Sequence, residues 1–317
     1  MRYLTTWRRL RGFALLLCAL GTPFPAVEGD SPLESALVRA YHDQTYWSSL
    51  WVTMQGLGEP GLAQLAEIAR SGQLEARVMA MNIFGATPSL TGVVPLVAGL
   101  EDADAKVRVA AAGAVAAMLT NSWLRPELIG HGVAERMIEL CFDVDGGVRA
   151  AAAKSLALFD PADGREALLT LLTDPDQPVR EAAAFSLWLL GVFPPLETTV
   201  ALLQDPGIPL RGWACRFLSK DTSDEASRAL AVATHDVDPG MRRAALSAMR
   251  GRNQPEAIDA LIDAMTDVDE YVRRTADSML RRVTVPPEQQ PRLEAQRAEQ
   301  RRLYPSMAPV VPPGPPE

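Results

Sequence analysis

Three cysteines, three histidines and three lysines in 317 residues leave this chain short of the usual materials of catalysis and metal binding. Cys18, Cys141 and Cys215 stand far apart, so the sequence holds no Cys-x-x-Cys motif and no compact disulfide framework. A Gly-rich phosphate loop and a Gly-x-Ser-x-Gly turn are also missing. His42-Asp43 and His235-Asp236 are His-Asp pairs, but neither brings the further ligands a metal centre needs. Aromatics make up only 6%, and the net charge is −8. An acidic chain argues against general nucleic-acid binding, which needs clustered cations to displace counterions. The apolar run Phe13 to Leu20 is too short to span a bilayer, which takes about 20 residues.

What the chain does have is a phrase that returns six times. It reads Asp102-Ala-Asp104-Ala-Lys-Val107-Arg108, Asp143-Val-Asp145-Gly-Gly-Val148-Arg149 and Asp174-Pro-Asp176-Gln-Pro-Val179-Arg180. It continues as Asp205-Pro-Gly207-Ile-Pro-Leu210-Arg211, Asp236-Val-Asp238-Pro-Gly-Met241-Arg242 and Asp267-Val-Asp269-Glu-Tyr-Val272-Arg273. The arginines step by 41, 31, 31, 31 and 31 residues, and a weaker copy, Ser71 to Arg77, lies 31 residues before Arg108. A fixed period of this size marks stacked structural repeats.

Three residues after each arginine stands alanine: Ala80, Ala111, Ala152, Ala183, Ala214, Ala245 and Ala276. Seven residues after stands a larger apolar residue: Phe84, Val115, Leu156, Leu187, Leu218, Met249 and Leu280. Offsets of −1, +3 and +7 share one face of a helix, so each arginine opens the second helix of a repeat. The unvarying alanine implies a close approach of two helix backbones. The second acidic residue of each phrase (Asp104, Asp145, Asp176, Asp238, Asp269) falls where an N-cap is wanted, and Pro178, Pro209 and Pro239 sit in the first turn. Upstream apolar segments such as Ala167 to Leu172, Val200 to Leu203 and Ala260 to Met265 predict the first helix. Each repeat is then a helical hairpin that buries its apolar stripe only by stacking.

An apolar first helix, a turn with Asp, and Val-Arg followed by alanines resemble the HEAT-repeat family, in the short form also found in phycobilisome-lyase-like proteins. The resemblance covers roughly residues 60–284. It implies an all-α, right-handed alpha-alpha superhelix, a HEAT-like solenoid of about seven helical-hairpin repeats. It also implies a ladder between neighbouring repeats, with Asp102, Asp143, Asp174, Asp205, Asp236 and Asp267 facing Arg108, Arg149, Arg180, Arg211, Arg242 and Arg273. Iron-binding, substrate-hydroxylating members use several His-Glu pairs, and this sequence has none. The expectation is therefore a protein without catalysis, cofactor or metal. A phycobilin-lyase-like subunit is the enzyme alternative; such subunits work in the cytoplasm, whereas this chain begins like an exported one.

Residues 1–29 have the form of an export signal: Arg2, Arg8, Arg9 and Arg11, an apolar run, then small residues and prolines, with a plausible cut after Gly29. The expected location is periplasmic or secreted. Lipidation of Cys18 is disfavoured because Leu17 stands where a small residue is wanted. Residues 30–58 read as an N-terminal capping hairpin, opened by a capping box at Ser31-Pro32-Leu33-Glu34 and carrying Tyr41, Tyr46, Trp47 and Trp51. The solenoid occupies 59–284. Residues 285–317 read as a short charged helix and a Pro-rich tail of polyproline II or disordered character. Cys141 and Cys215, about two repeats apart, are expected to be free thiols.

In such a solenoid the second helices are expected to line the concave face, and their outer stripe falls at +1, +5 and +8 from each arginine. In the fourth repeat this stripe carries Phe185 and Trp188. In the last three it carries Arg216, then Arg243 and Arg250, then Arg274 and Arg281. Trp and Arg are the residue types that anchor interfaces, so these positions are the candidate surface for a protein partner. The alternative is that the aromatics tuck under a loop and the arginines are a solvated face. The one long step, 41 residues, places an insertion at Asn121 to His131 with Trp123 as a further candidate, or as a cover for the groove between hairpins. A monomeric scaffold holding a protein partner is the expectation. A structural envelope spacer contacting others only through its tail is the rival.

Overall fold

The computed structural model describes residues 31–305, whose regular elements are all helical, with no strand among them. They fall into two compact units, one ending at Gly191 and one beginning at Val192. The expected export signal and the Pro-rich tail lie outside the described residues, as do the side chains of Trp47 and Trp51.

The first unit opens with α1 (Pro32–His42) and the run α2 (Gln44–Ser71). That run breaks at Gly58, whose φ of 57° and ψ of −153° suit glycine, and Pro60 follows. Then come α3 (Leu74–Ala86), α4 (Val93–Gly99) and α5 (Ala105–Leu119), followed by α6 (Arg125–Gly130), α7 (Val133–Leu140) and α8 (Gly146–Leu156). The pair α9 (Pro161–Leu171) and α10 (Gln177–Leu189) completes the unit. The second unit holds the hairpins α11 (Leu196–Leu202) with α12 (Ile208–Leu218), α13 (Asp224–Ala233) with α14 (Pro239–Ala248), and α15 (Pro255–Asp263) with α16 (Glu270–Leu280). It ends with α17 (Gln290–Leu303).

The sequence period is the packing period. All seven alanines at +3 are fully buried, and the seven larger residues at +7 are at most 3% exposed. The side chains one before each arginine, from Val107 to Val272, are buried as well. Asp104, Asp145, Asp238 and Asp269 cap the second helices by accepting from the amides of Lys106, Val148, Met241 and Val272 at 2.8–3.0 Å. Asp176 departs from this pattern: it makes no capping bond, and its carboxylate turns to Arg149 at 2.9 Å.

Other expectations are corrected. Ser31 accepts from the Glu34 amide, but Glu34 does not complete a capping box. Its carboxylate accepts instead from the amide of Gln73, the N-cap of α3, at 2.7 Å. Every other phrase has an Asp that accepts from the amide two residues on; the weak copy has Ser71 there, and Glu34 supplies that acceptor from α1. The insertion contains a short helix, α6. Leu124 and Leu128 are fully buried, and Arg125 donates to the Leu158 carbonyl at 2.7 Å, while Trp123 stays exposed.

The charged helix near the C-terminus does more than trail from the repeats. Leu293 of α17 is buried in one apolar cluster with Leu261, Met265 and Leu280 of the last hairpin. Gln289, Gln296 and Gln300 donate to the Pro255 carbonyl, the Thr266 hydroxyl and the Met265 carbonyl at 2.8–3.1 Å. Cys141 and Cys215 are free and buried. Burial pushes both thiols up to about 12.

Candidate functional site

The repeated phrase builds a ladder of shared carboxylates. The first Asp of each phrase accepts, through Oδ1, from the amide two residues on at 2.7–2.9 Å, which closes the turn. The phrase's own arginine donates Nη1 to the backbone carbonyl of that Asp, as Arg180 does to the Asp174 carbonyl at 2.8 Å. Within each unit the carboxylate itself faces the arginine of the preceding repeat. Within the first unit the rungs are Arg77–Asp102, Arg108–Asp143 and Arg149–Asp174; within the second they are Arg211–Asp236 and Arg242–Asp267, all at 2.7–3.0 Å. The family likeness implied rungs between repeats, and these rungs join Arg of one phrase to Asp of the next. The weak copy therefore takes part through Arg77.

Each rung is bidentate: Nε and Nη2 meet the two carboxylate oxygens, the planar fork that lysine lacks. At Asp143, Asp174 and Asp267 burial pushes the carboxyl up. The arginine hydrogen bonds, the turn amide and the neighbouring positive charges outweigh that, so each stays below its ordinary range. The ladder thus consumes the titratable residues that recur. Among the described residues no cluster of three His, Cys, Asp or Glu side chains is placed to hold a metal ion, and no helix is long and apolar enough to cross a membrane.

The outer stripe of the second helices is divided in character. Phe185 is exposed and Trp188 half-buried. Arg274 is tied to Glu270 at 2.6 Å and Arg281 to Asp277 at 2.5 Å, pairs within one helix that neutralise both. Arg216 lies over the Trp213 ring at 4.5 Å and Arg243 over the Tyr271 ring at 6.0 Å. Arg250 is exposed at the mouth of a polar pocket of about 400 Å3 between the ends of α12 and α14. Arg252 forms part of the wall of that pocket. Nothing in the repeat pattern pointed to it, because it lies in the connection between hairpins. Arg252 is buried and donates to Ser227 Oγ at 2.7 Å and to the carbonyls of Leu218 and Asp221 at 2.6 and 2.5 Å. Burial pushes its guanidinium down, opposed only by the charge of Asp221.

Stacked helical hairpins with an inter-repeat Asp–Arg ladder define an all-α helical-repeat solenoid. Residues 133–191 and 196–281 match the family model of HEAT repeats. Those residues carry HEAT repeats. Its fold is similar to that of the YibA protein of Escherichia coli, at 20% identity over 82% of this chain and 99% of that one, with a TM-score of 0.60. It is also similar to an engineered protein, at 20% identity over 81% of this chain and 75% of that one, with a TM-score of 0.56. The complex of CpcE and CpcF of phycocyanin lyase from a Nostoc species is similar at 19% identity, covering 69% of this chain and 94% of that one, with a TM-score of 0.43. At these identities the likeness is one of fold. No curated protein matches the chain.

Proposed function

We propose that this protein is an exported, non-catalytic HEAT-repeat scaffold that holds a protein partner on the face of its second helices. The observation that carries the reading is the division of labour along those helices. The inward residues and the repeated Asp and Arg are engaged in stacking, while Arg216, Arg243 and Arg250 of the second unit are exposed and have no carboxylate partner among the described residues. Exposed arginines are among the residue types that anchor interfaces. Export rests on the basic and apolar pattern of residues 1–29.

The test is affinity capture with the mature chain, from residue 30, from an envelope fraction. Phe185→Ala is expected to weaken capture by about 2 kcal/mol, the size of an interface hot spot. Trp188→Ala, at a half-buried position, is expected to lower both capture and the melting temperature. Capture that ignores both substitutions but disappears when residues 306–317 are removed would replace the scaffold with a spacer. N-terminal sequencing of the exported protein tests the cut after Gly29.

A further inference from the structure

The second unit presents three exposed arginines, Arg216, Arg243 and Arg250, that have no carboxylate partner among the described residues, on a chain whose net charge is −8. Two of them lie over aromatic rings, which hold the guanidinium without neutralising it. Arg250 has no side-chain partner and stands at the pocket beside Arg252. The two flank Gly251, whose φ of 77° makes the left-handed turn between them. The Arg252 guanidinium donates to a hydroxyl and to carbonyl oxygens, all neutral, and the nearby charge of Asp221 offsets part of its own. Ser219 and Thr222 also line the pocket. A pocket lined by Arg250, whose charge has no carboxylate partner among the described residues, and by Arg252, Ser219 and Thr222, opening onto an arginine-bearing face, is complementary to negative charge.

We propose that this pocket is the carboxylate subsite for an acidic peptide segment of the partner. The inference rests on the partner-binding reading and names the chemistry of the partner. Arg250, free and solvated, is the group that takes the carboxylate; Arg252, fixed by the loop carbonyls, is a positioning charge beneath it. Arg243 lies seven residues before Arg250, about 10 Å along the helix, and extends the basic track to further acidic residues of the same segment. Arg274 and Arg281, neutralised on their own helix, take no part.

The probe is a hexaglutamate peptide titrated calorimetrically into the mature protein, with hexaglutamine and inorganic phosphate as comparisons. Hexaglutamate is expected to bind, more weakly as salt rises, and hexaglutamine not to bind. Loss of one charge-assisted contact in Arg250→Ala should cut the hexaglutamate affinity about tenfold, while Arg274→Ala leaves it within about twofold. Arg250→Lys keeps the charge and should retain most of the binding, which separates charge from any damage to the fold. Binding of hexaglutamate that is equal in the parent and in Arg250→Ala would overturn the subsite. Phosphate binding as tightly as hexaglutamate would mark a bare oxyanion site and overturn the peptide. If hexaglutamate fails to bind while Phe185→Ala still weakens partner capture, the subsite falls and the scaffold stands. If hexaglutamate binds through Arg250 while capture ignores Phe185 and Trp188, the scaffold reading falls instead.

Discussion

Arg149 grips the Asp174 carboxylate through two parallel hydrogen bonds, Nε to Oδ2 at 2.7 Å and Nη2 to Oδ1 at 2.8 Å, across a sequence gap of 25 residues. The two side chains are only 12% and 6% exposed. The same Asp174 offers its backbone carbonyl, not its carboxylate, to Arg180. One residue therefore ties its own turn and the repeat before it.

Asp174→Ala is expected to cost about 3–5 kcal/mol, because it leaves the Arg149 guanidinium largely buried with a weaker set of partners. The lower end of that range is expected, since Asp176 and the Asp143 carbonyl stay in place. Glu67→Ala, which removes the exposed pair with Arg70, should cost under about 1 kcal/mol. Urea unfolding of both variants measures the contrast. A double-mutant cycle should find Asp174 coupled to Arg149, and equal losses in the two single variants would mean that the ladder is solvated.

Acid should loosen the ladder. The Asp143, Asp174 and Asp267 carboxyls titrate below their unfolded values, so the folded state favours their charged forms. Their stabilisation is complete above the unfolded carboxylate pKa of about 4 and is lost as pH falls through the lower folded values. Melting temperature is expected to be flat from neutral pH to about pH 5 and to drop below about pH 4. Asn at these three positions should lower the neutral plateau and shrink the acid drop; an undiminished drop would place the acid sensitivity elsewhere.

The helix α17 closes the second unit. Tyr304 lies under the Arg273 guanidinium, 3.5 Å from its ring centre, and Leu293 is 3% exposed. Leu293→Ala is expected to cost about 2–5 kcal/mol and Tyr304→Ala about 1–2 kcal/mol, in thermal or urea melts. A chain ending at residue 284 that melts like the full one would show that α17 is dispensable.

Cys141 and Cys215 are expected to resist iodoacetamide at pH 8 in the native state and to react fully in denaturant. Burial pushes both thiols up to about 12; at Cys215 the charge of Asp236 adds to this and that of Arg211 opposes it. Mass spectrometry of alkylated native protein reads this directly, and rapid native labelling of either thiol would show its repeat opening.

Much of this protein was written in its local periodicity. A side chain three or seven residues after an arginine on a helix must lie on the arginine's packed side, so the buried alanines and their larger partners followed from spacing alone. The caps at Asp104, Asp145, Asp238 and Asp269 followed for the same reason: a cap bond spans two or three residues. What only the tertiary structure decided lies between hairpins. Stacking brings Asp174 to Arg149 rather than to Arg180, calls Asp176 away from its cap, and lets Glu34 stand in for the acid missing at Ser71. It also docks α17 and brings Ser219 and Thr222 to Arg250 and Arg252 at one pocket, contacts that span about one repeat of sequence. Helix periodicity determines which face of a segment is buried, because that depends on neighbours within two turns. Which residue meets which across the stack depends on the offset between hairpins, and the packed chain sets that offset.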